Sequence, residues 1–321
     1  MAPSSVRWLS RNDVAETNLS FASALDIVDA TLRQHSDSAF ENPPKIGIHP
    51  KQGSFIHAMP GWLPSQSRAG IKWIASYPGN HGRGLPNITG LLVLNDPDTG
   101  VPVCVMDASL LTAVRTAAVS AITSKYLSPH HVARIAVIGA GIQGLYHIEM
   151  LSLIHPAAEF QIVDINENAI SRLLVNLRSK ATIVHVKEAE VAIRAADVVV
   201  TATSRLEDVA FQYGWAKEGS LVLPVHARGW SEDVTTASDK LLTDDVEQFK
   251  NYMFADGSPY RDISRVLGSC SDVVAGRLAG RVRNMDRIVV FNLGLALHDI
   301  ALGAAILTIA EGRGLGSVVS Y

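Results

Sequence analysis

The sequence predicts an α/β protein in which a doubly wound parallel sheet is joined to a smaller α+β domain. Three observations support this fold class: a glycine-rich turn between a predicted strand and a predicted helix, near-continuous apolar runs after that turn, and short β-type runs before it. Apolar runs without polar alternation are typical of parallel strands buried on both faces. A strong turn signal from Asn95 to Gly100 joins the last two of the earlier runs, which favours antiparallel pairing there.

The glycine-rich turn has the spacing of a Rossmann-type dinucleotide-binding unit. Gly139 permits the tight turn, Gly141 lets the main chain approach a pyrophosphate, and Gly144 lets the next helix pack close to the strand. Asp164 ends the following apolar run, where such units place an acid that accepts hydrogen bonds from the adenosine ribose. Because this charge would repel a 2′-phosphate, we expect NAD to be favoured over NADP. The alternative is an ordinary βαβ turn with a surface aspartate.

The length of the chain indicates two domains. It has 321 residues, of which 47% are hydrophobic, and this is enough apolar material for two buried cores. We place the first domain at residues 1–126 and the second at residues 127–299. The last predicted helix runs from about Asn292 to Ile309, and residues 300–321 are expected to return to the first domain.

Composition excludes several classes of function. The net charge is −3 and no block of lysine or arginine occurs, so we expect no nucleic-acid partner. Cys104 and Cys270 lack metal-ligand spacing, which argues against a disulfide framework and a structural metal. The start of the chain does not resemble a signal peptide, and the most apolar predicted helix contains His298 and Asp299. We therefore expect a cytoplasmic protein without a membrane segment.

Two cations lie inside apolar stretches of the predicted first domain. Lys72, between Ile71 and Trp73, either points into water or faces a pocket where its charge meets a carboxylate. Arg115 lies on a predicted helix whose neighbouring residues are small, so its guanidinium can reach a planar carboxylate with two hydrogen bonds. The alternative for Arg115 is an exposed helix residue.

Nearly the whole chain resembles the ornithine cyclodeaminase and mu-crystallin family. The resemblance is carried by HAMP (57–60), GIKW (70–73), GLLVLNDP (90–97), MDA through RTAAVS (106–120), the glycine turn and NLGLALHD (292–299). It implies a two-domain, NAD(P)-dependent homodimer. The first domain would bind an amino-acid or imino-acid substrate and form the subunit contact, and the Rossmann-type domain would hold the nicotinamide.

The resemblance also implies site residues. Lys45, Lys72 and Arg115 correspond to the set that binds the substrate carboxylate, with Met59 beside them; the family more often has arginine near position 45. The implied cofactor contacts are Gly139, Gly141, Ile142, Gln143, Gly144, Asp164, Thr201, Ala202, Thr203, Asn292 and Gly294.

One departure from the family pattern concerns the loop after the fifth strand of the predicted Rossmann-type domain. Cyclodeaminases have an aspartate there that acts on the side-chain amine of the substrate, whereas this loop continues with His226 and reaches acids only at Glu232 and Asp233. Each of these three is a candidate for the polar role, and each is equally typical of a solvated loop. The departure argues against ornithine cyclisation but leaves hydride transfer possible.

We therefore expect an NAD-dependent enzyme acting at the α-carbon of an amino acid or imino acid through an imine. The catalytic candidates are Lys72, Arg115 and His226, and the activity would resemble that of ornithine cyclodeaminase or alanine dehydrogenase. A ketimine reductase resembling mu-crystallin, or a non-catalytic protein that binds nicotinamide or a small ligand, is the alternative.

Overall fold

The computed structural model describes residues 5–36, 40–203, 208–226, 228–253, 260 and 264–321. The chain forms two compact units, Met1–Arg115 with Leu295–Tyr321 and Thr116–Gly294. The functional domain boundaries drawn from the sequence, 1–126 with 300–321 and 127–299, stay a prediction. No helix in the described ranges is both long and apolar enough to cross a membrane.

The described helices and strands follow one another in this order: β1 (Ser5–Leu9), α1 (Arg11–Glu16), α2 (Phe21–Ser36), β2 (Ile46–Ile48), β3 (Phe55–Leu63), β4 (Arg68–Ser76), β5 (Ile88–Asn95), β6 (Pro102–Asp107), α3 (Ser109–Leu127), β7 (Arg134–Ile138), α4 (Ile142–Ile154), β8 (Glu159–Val163), α5 (Glu167–Leu177), β9 (Thr182–His185), α6 (Ala189–Ala195), β10 (Val198–Thr201), β11 (Leu221–Pro224), α7 (Asp233–Thr236), β12 (Lys240–Thr243), α8 (Val246–Met253), β13 (Val266–Ser269), α9 (Cys270–Val274), β14 (Ile288–Phe291), α10 (Ala296–Arg313) and β15 (Ser317–Ser320).

The first unit contains a seven-stranded sheet in the order β15-β1-β6-β5-β4-β3-β2. Neighbouring strands are antiparallel except β1 and β6, as the short runs and turn signal predict. At the turn between β5 and β6, Asp96 Oδ1 accepts hydrogen bonds from the main-chain N–H groups of Asp98 and Thr99. Strand β15 is not predicted from the sequence, because its four residues are all exposed and give no burial pattern.

Helix α10 packs against β3, β4 and β5 of this sheet. Glycines make the approach close: a Cβ on Gly303 would lie 2.4 Å from Leu92 Cδ2, and one on Gly61 would lie 3.0 Å from Ile300 Cδ1. The helix begins at Ala296 and ends at Arg313, so the predicted bounds of about 292 and 309 are wrong at both ends. Gly294 has φ +92°, which is incompatible with a helix start at 292, and Gly314 ends the helix with φ +65°.

The second unit contains an eight-stranded parallel sheet in the order β13-β12-β14-β11-β10-β7-β8-β9. Its four central strands β7, β10, β11 and β14 are almost entirely buried, which explains why their sequences are near-continuous apolar runs. From β7, the chain continues to β8 and β9 on one side and then to β10 and β11 on the other. The change of direction between β7 and β10 is the kind of switch point where ligands bind at the carboxyl ends of parallel strands. The predicted fold class is confirmed.

Candidate functional site

A buried cluster of charges lies in the first unit. Lys72 on β4 and Asp299 on α10 are fully buried, and Arg115 on α3 is 8% exposed. The ammonium group of Lys72 donates a hydrogen bond to Asp299 Oδ2. Arg115 Nε lies 3.4 Å from Asp299 Oδ1. Two cations therefore share one carboxylate, and this set of three side chains carries a net positive charge when Lys72 is protonated.

Strand alternation places Lys72 in this cluster. In the sheet register Lys72 lies opposite Met59 on β3 and Leu92 on β5, and both of these neighbours are buried. Trp73, the next residue, points to the other face and is 48% exposed. The interpretations of Lys72 and of Arg115 as exposed surface residues are therefore wrong.

Burial and neighbouring charges change the titration of the cluster. Burial, and next the positive charge of Arg115, lower the pKa of Lys72 to about 7, although the carboxylate of Asp299 opposes them. Burial also lowers the pKa of His57 to about 4, with Lys45 as the next cause. The charge of Lys45 also lowers the pKa of Lys72, so Lys45 lies within electrostatic range of both residues. At neutral pH His57 is uncharged, whereas Lys72 is poised to gain or lose a proton.

Sequence reasoning missed two members of this region, Asp299 and His298. His298 is 1% exposed, and neither of its ring nitrogens has a hydrogen-bond partner among the described residues. Burial, followed by the charge of Arg115, lowers its pKa well below the ordinary value, so the ring is neutral. The signal was present in the sequence as two adjacent polar residues within an otherwise apolar helix. From the sequence alone, these two polar residues argue only against a membrane-spanning helix.

The second unit holds the glycine turn at the carboxyl end of β7. Gly139 has φ +117°, and a Cβ there would lie 2.6 Å from the carbonyl oxygen of Ala202. A Cβ on Gly144 would lie 2.0 Å from the carbonyl oxygen of Gly139. A Cβ on Gly141 would meet no atom within 4 Å, so the space beside Gly141 is open. The three glycines thus have the geometry that a dinucleotide-binding turn requires.

The start of helix α4 can bind an anion. Gly141 is its N-cap and supplies no side-chain hydrogen bond, so the first N–H groups, including those of Ile142 and Gln143, are not capped by a side chain. Gln143 Oε1 is buried without a hydrogen-bond partner among the described residues. Asp164, after β8, accepts a hydrogen bond of 2.6 Å from the main-chain N–H of Ala140. Open space, unused donors and a fixed carboxylate fit the pyrophosphate and ribose of a dinucleotide.

The other predicted cofactor residues follow neighbouring strands at the same edge of the sheet. Ala202 and Thr203 follow β10, and the Thr203 hydroxyl is hydrogen-bonded to His226 Nε2 at 3.0 Å. Thr201 is fully buried, and its hydroxyl accepts a hydrogen bond of 3.1 Å from Trp230 Nε1. Its side chain therefore supports the loop that follows β11.

Two predicted residues follow β14. Asn292 donates a hydrogen bond of 3.3 Å to Thr123 Oγ1, and its buried Oδ1 has no hydrogen-bond partner in the described ranges. The N–H of Gly294 donates to Asp244 Oδ2. Asn292 thus offers an unused acceptor, whereas the N–H of Gly294 is already bonded within the protein.

The loop after β11 contains three candidates for the role of the missing aspartate. His226 is half-buried and bonded to Thr203, and burial lowers its pKa. Glu232 and Asp233 are exposed, and Asp233 accepts a hydrogen bond from Ser231. His226 alone of the three is partly removed from solvent; Ala227, which follows it, lies outside the described residues. The predicted substrate residues Lys45, Met59, Lys72 and Arg115 belong to the other unit.

The lowered pKa of Lys72 predicts a pH-dependent stability. Its ordinary value is 10.5 and its value in the folded protein is about 7, so between these values the unfolded chain binds more protons than the folded protein. The free energy of unfolding should therefore rise with pH from about 7 to about 10, by up to ~1.4 kcal/mol per pH unit from this residue. In Lys72→Met this part of the rise should disappear when urea unfolding is measured across that range.

The matched control is Lys187→Met, which removes an exposed lysine from the second unit. Its unfolding free energy should follow the same pH dependence as that of the wild type. An equal slope in Lys72→Met and wild type would contradict a depressed pKa for Lys72.

Known proteins resemble the chain over almost its full length. The model of the ornithine cyclodeaminase/mu-crystallin family matches residues 6–312. The nodulation efficiency protein NfeD of Rhizobium meliloti is 72% identical over 98% of this chain and 99% of its own length. The alanine dehydrogenase of Archaeoglobus fulgidus is 29% identical, over 95% of this chain and 96% of its own length.

Among solved structures, an archaeal alanine dehydrogenase dimer with bound NAD superimposes with a TM-score of 0.87. It is 28% identical, and the match covers 99% of each chain. NAD is thus the cofactor of this solved neighbour, as the sequence predicts for this chain. The family match extends through both units and includes the stretches that hold Lys72, Arg115, Asp299 and the glycine turn. On this ground the chain belongs to the ornithine cyclodeaminase/mu-crystallin family.

Proposed function

We propose that this protein is an NAD-dependent oxidoreductase that acts at the α-carbon of an amino acid or imino acid. The observation that carries the proposal is the buried cluster in which Lys72 and Arg115 share the carboxylate of Asp299. A buried site with an excess positive charge needs an anion to balance it, because an unpaired charge in low dielectric is costly. The α-carboxylate of an amino acid is such an anion. The kinship with an alanine dehydrogenase supports the same assignment.

Arg115 has the geometry to bind this carboxylate. Its Nε faces Asp299, and its Nη groups make no hydrogen bond to a described residue. Its side chain is 10% exposed, so the residue is not completely enclosed. A guanidinium whose two Nη groups are unused can bind a carboxylate through two parallel hydrogen bonds. Lys72 and Lys45 add positive charge nearby.

The open space beside Gly141 and the uncapped start of α4 support an NAD site at the glycine turn of the second unit. When bound, NAD supplies a hydride acceptor for the α-carbon. Loss of the Cα hydride and of a proton from the α-amine forms the C=N bond of an imine, which water then hydrolyses to an oxo acid and ammonia. The reverse direction reduces an imine. Lys72, with a pKa of about 7, can take or return the amine proton at neutral pH.

The proposal does not extend to ornithine cyclisation, because the loop after β11 lacks the aspartate of cyclodeaminases. We assign the polar role in that loop to His226, held by the Thr203 hydroxyl. A neutral imidazole can donate or accept one hydrogen bond but does not attract a cationic side chain. This favours substrates whose side chains carry no amine.

A panel of amino acids tests the proposal. With NAD, at least one member should produce the absorbance of reduced nicotinamide, and NADP should support less turnover because Asp164 would lie against its 2′-phosphate. Asp164→Ser should narrow the preference between the two cofactors. Cofactor binding without turnover of any amino acid or imino acid would instead indicate a non-catalytic binding protein.

We call Lys72 and Arg115 together the substrate clamp, and Arg115→Lys tests the part of Arg115 in it. The change keeps the positive charge but removes the planar guanidinium group, so the carboxylate can no longer be bound through two parallel hydrogen bonds. A charge-assisted hydrogen bond contributes roughly 1.5–3 kcal/mol, so we expect at least about a tenfold loss in kcat/KM. NAD affinity, measured by calorimetry, should be unchanged because the cofactor is bound by the glycine turn. Wild-type kinetics in Arg115→Lys would remove Arg115 from the proposed site.

We also propose that the protein is a homodimer that pairs through the outer face of the first unit's sheet. This face carries Trp8, Trp62, Trp73 and Leu91, which are 42%, 38%, 48% and 37% exposed. Trp73 and Leu91 are cross-strand neighbours, so the exposed apolar surface is continuous there. Light scattering at micromolar concentration should give the mass of a dimer, and Trp73→Glu should shift it toward the monomer. A monomeric wild type would contradict this assembly.

A further inference from the structure

Asp299 lies at the centre of the charged cluster but out of reach of a ligand. Its Oδ2 accepts from Lys72, and its Oδ1 lies 3.4 Å from Arg115 Nε. The residue is fully buried, and Oδ1 has no hydrogen-bond partner in the described part of the chain. A substrate cannot touch a carboxylate that exposes no surface. Whatever Asp299 contributes to a reaction, it contributes through Lys72 and Arg115.

The carboxylate is attached to a firmly packed element. Asp299 precedes Ile300, which packs against Gly61 on β3, and lies one helical turn before Gly303, which packs against Leu92 on β5. Movement of α10 along the sheet would drive these close contacts into overlap. Asp299 is therefore fixed in relation to the sheet strand that carries Lys72. It also joins that strand to α3, which carries Arg115.

Two cations held side by side in a buried site repel each other, and each loses the stabilisation of water. A carboxylate between them offsets both effects. It also occupies the Nε side of Arg115, which leaves the Nη side for an incoming anion.

We propose that Asp299 is a positioning residue of the substrate clamp, which sets the spacing of Lys72 and Arg115 and aims the Nη groups of Arg115 at the substrate carboxylate. This inference deepens the proposed function, since it takes the α-carboxylate of an amino acid as the ligand of the clamp. The arrangement of the three side chains itself is independent of which amino acid binds.

The charged and titratable groups around Lys72 come from several elements, and Asp299 is the acid among the described residues whose charges act on Lys72. They are Arg115 on α3, Lys45 before β2, His57 on β3, His298 on α10 and, next to His298, His35 on α2. Loss of the Asp299 charge leaves Lys72 near the cations Arg115 and Lys45 without a carboxylate from this group. The pKa of Lys72 should then fall further below its wild-type value of about 7.

The first experiment follows Lys72 directly and needs no substrate. In protein labelled with ¹³C at lysine Cε, one resonance should titrate near pH 7, and Lys72→Met should remove it. In Asp299→Asn its midpoint should move to lower pH by about one to three units. The control is Asp286→Asn in the second unit, where a carboxylate 2% exposed pairs with Arg283 at 2.6 Å. This control should leave the Lys72 midpoint unchanged, because Asp286 does not contact the cluster.

The second experiment separates charge from position. Asp299→Glu keeps the charge on a longer side chain, so the Lys72 midpoint should return toward the wild-type value while the spacing of the clamp is altered. On an amino acid that the panel identifies, both variants should raise KM and lower kcat at least about tenfold. The pH limb of kcat/KM assigned to Lys72 should move to lower pH in Asp299→Asn only.

An unchanged Lys72 midpoint in Asp299→Asn, or wild-type kinetics in Asp299→Glu, would overturn the positioning role. If Asp299→Asn does not fold, Asp299→Glu still tests position through its kinetics. If no amino acid is turned over with NAD, the proposed function fails while the titration still tests whether Asp299 controls Lys72. The two failures are therefore distinguishable.

Discussion

The pairing of two buried cations with the single carboxylate of Asp299 is the constraint on which the first unit depends. Burying an ion costs several kcal/mol after relaxation, and leaving one member of a buried pair without its partner costs about 3–5 kcal/mol. The folded protein can bury this cluster because packed elements, namely β4, α3 and α10, hold the three side chains next to one another. Close glycine contacts at Gly61 and Gly303 bring α10 near enough to the sheet for Asp299 to reach Lys72.

In the second unit, glycines shape the turn that follows β7. Gly139 and Gly144 are required by contacts inside the protein, since a Cβ on either would overlap a main-chain oxygen. Gly141 faces open space, so its lack of a side chain serves whatever approaches the turn from outside. A motif of three glycines thus contains two that the fold needs and one that is left for a ligand.

Much of the fold and part of the candidate site could be predicted from the sequence, because the relevant signals are local. The glycine turn and the buried parallel strands are each encoded in a few consecutive residues. Strand β15 could not be found, since it is held by pairing with β1 and has no buried face. The role of Asp299 was also missed, because its partner Lys72 is 227 positions away in the sequence. The sequence indicated that Lys72 and Arg115 were unusual, but only the packing of α10 shows which group balances their charge.

The discontinuity of the first unit has a consequence for the order of events during synthesis. The second unit is a single stretch, Thr116–Gly294, and all its described strands are translated before α10. The first unit lacks α10 and β15 until the segment after the second unit is translated, so until then α10 does not cover β3, β4 and β5. Domains generally fold as units in the order of synthesis, but here the first unit begins before the second unit and is completed after it. Lys72 on β4 is therefore translated long before Asp299, the carboxylate that balances its charge, so the buried ion pair of the first unit can form only after the second unit has been made.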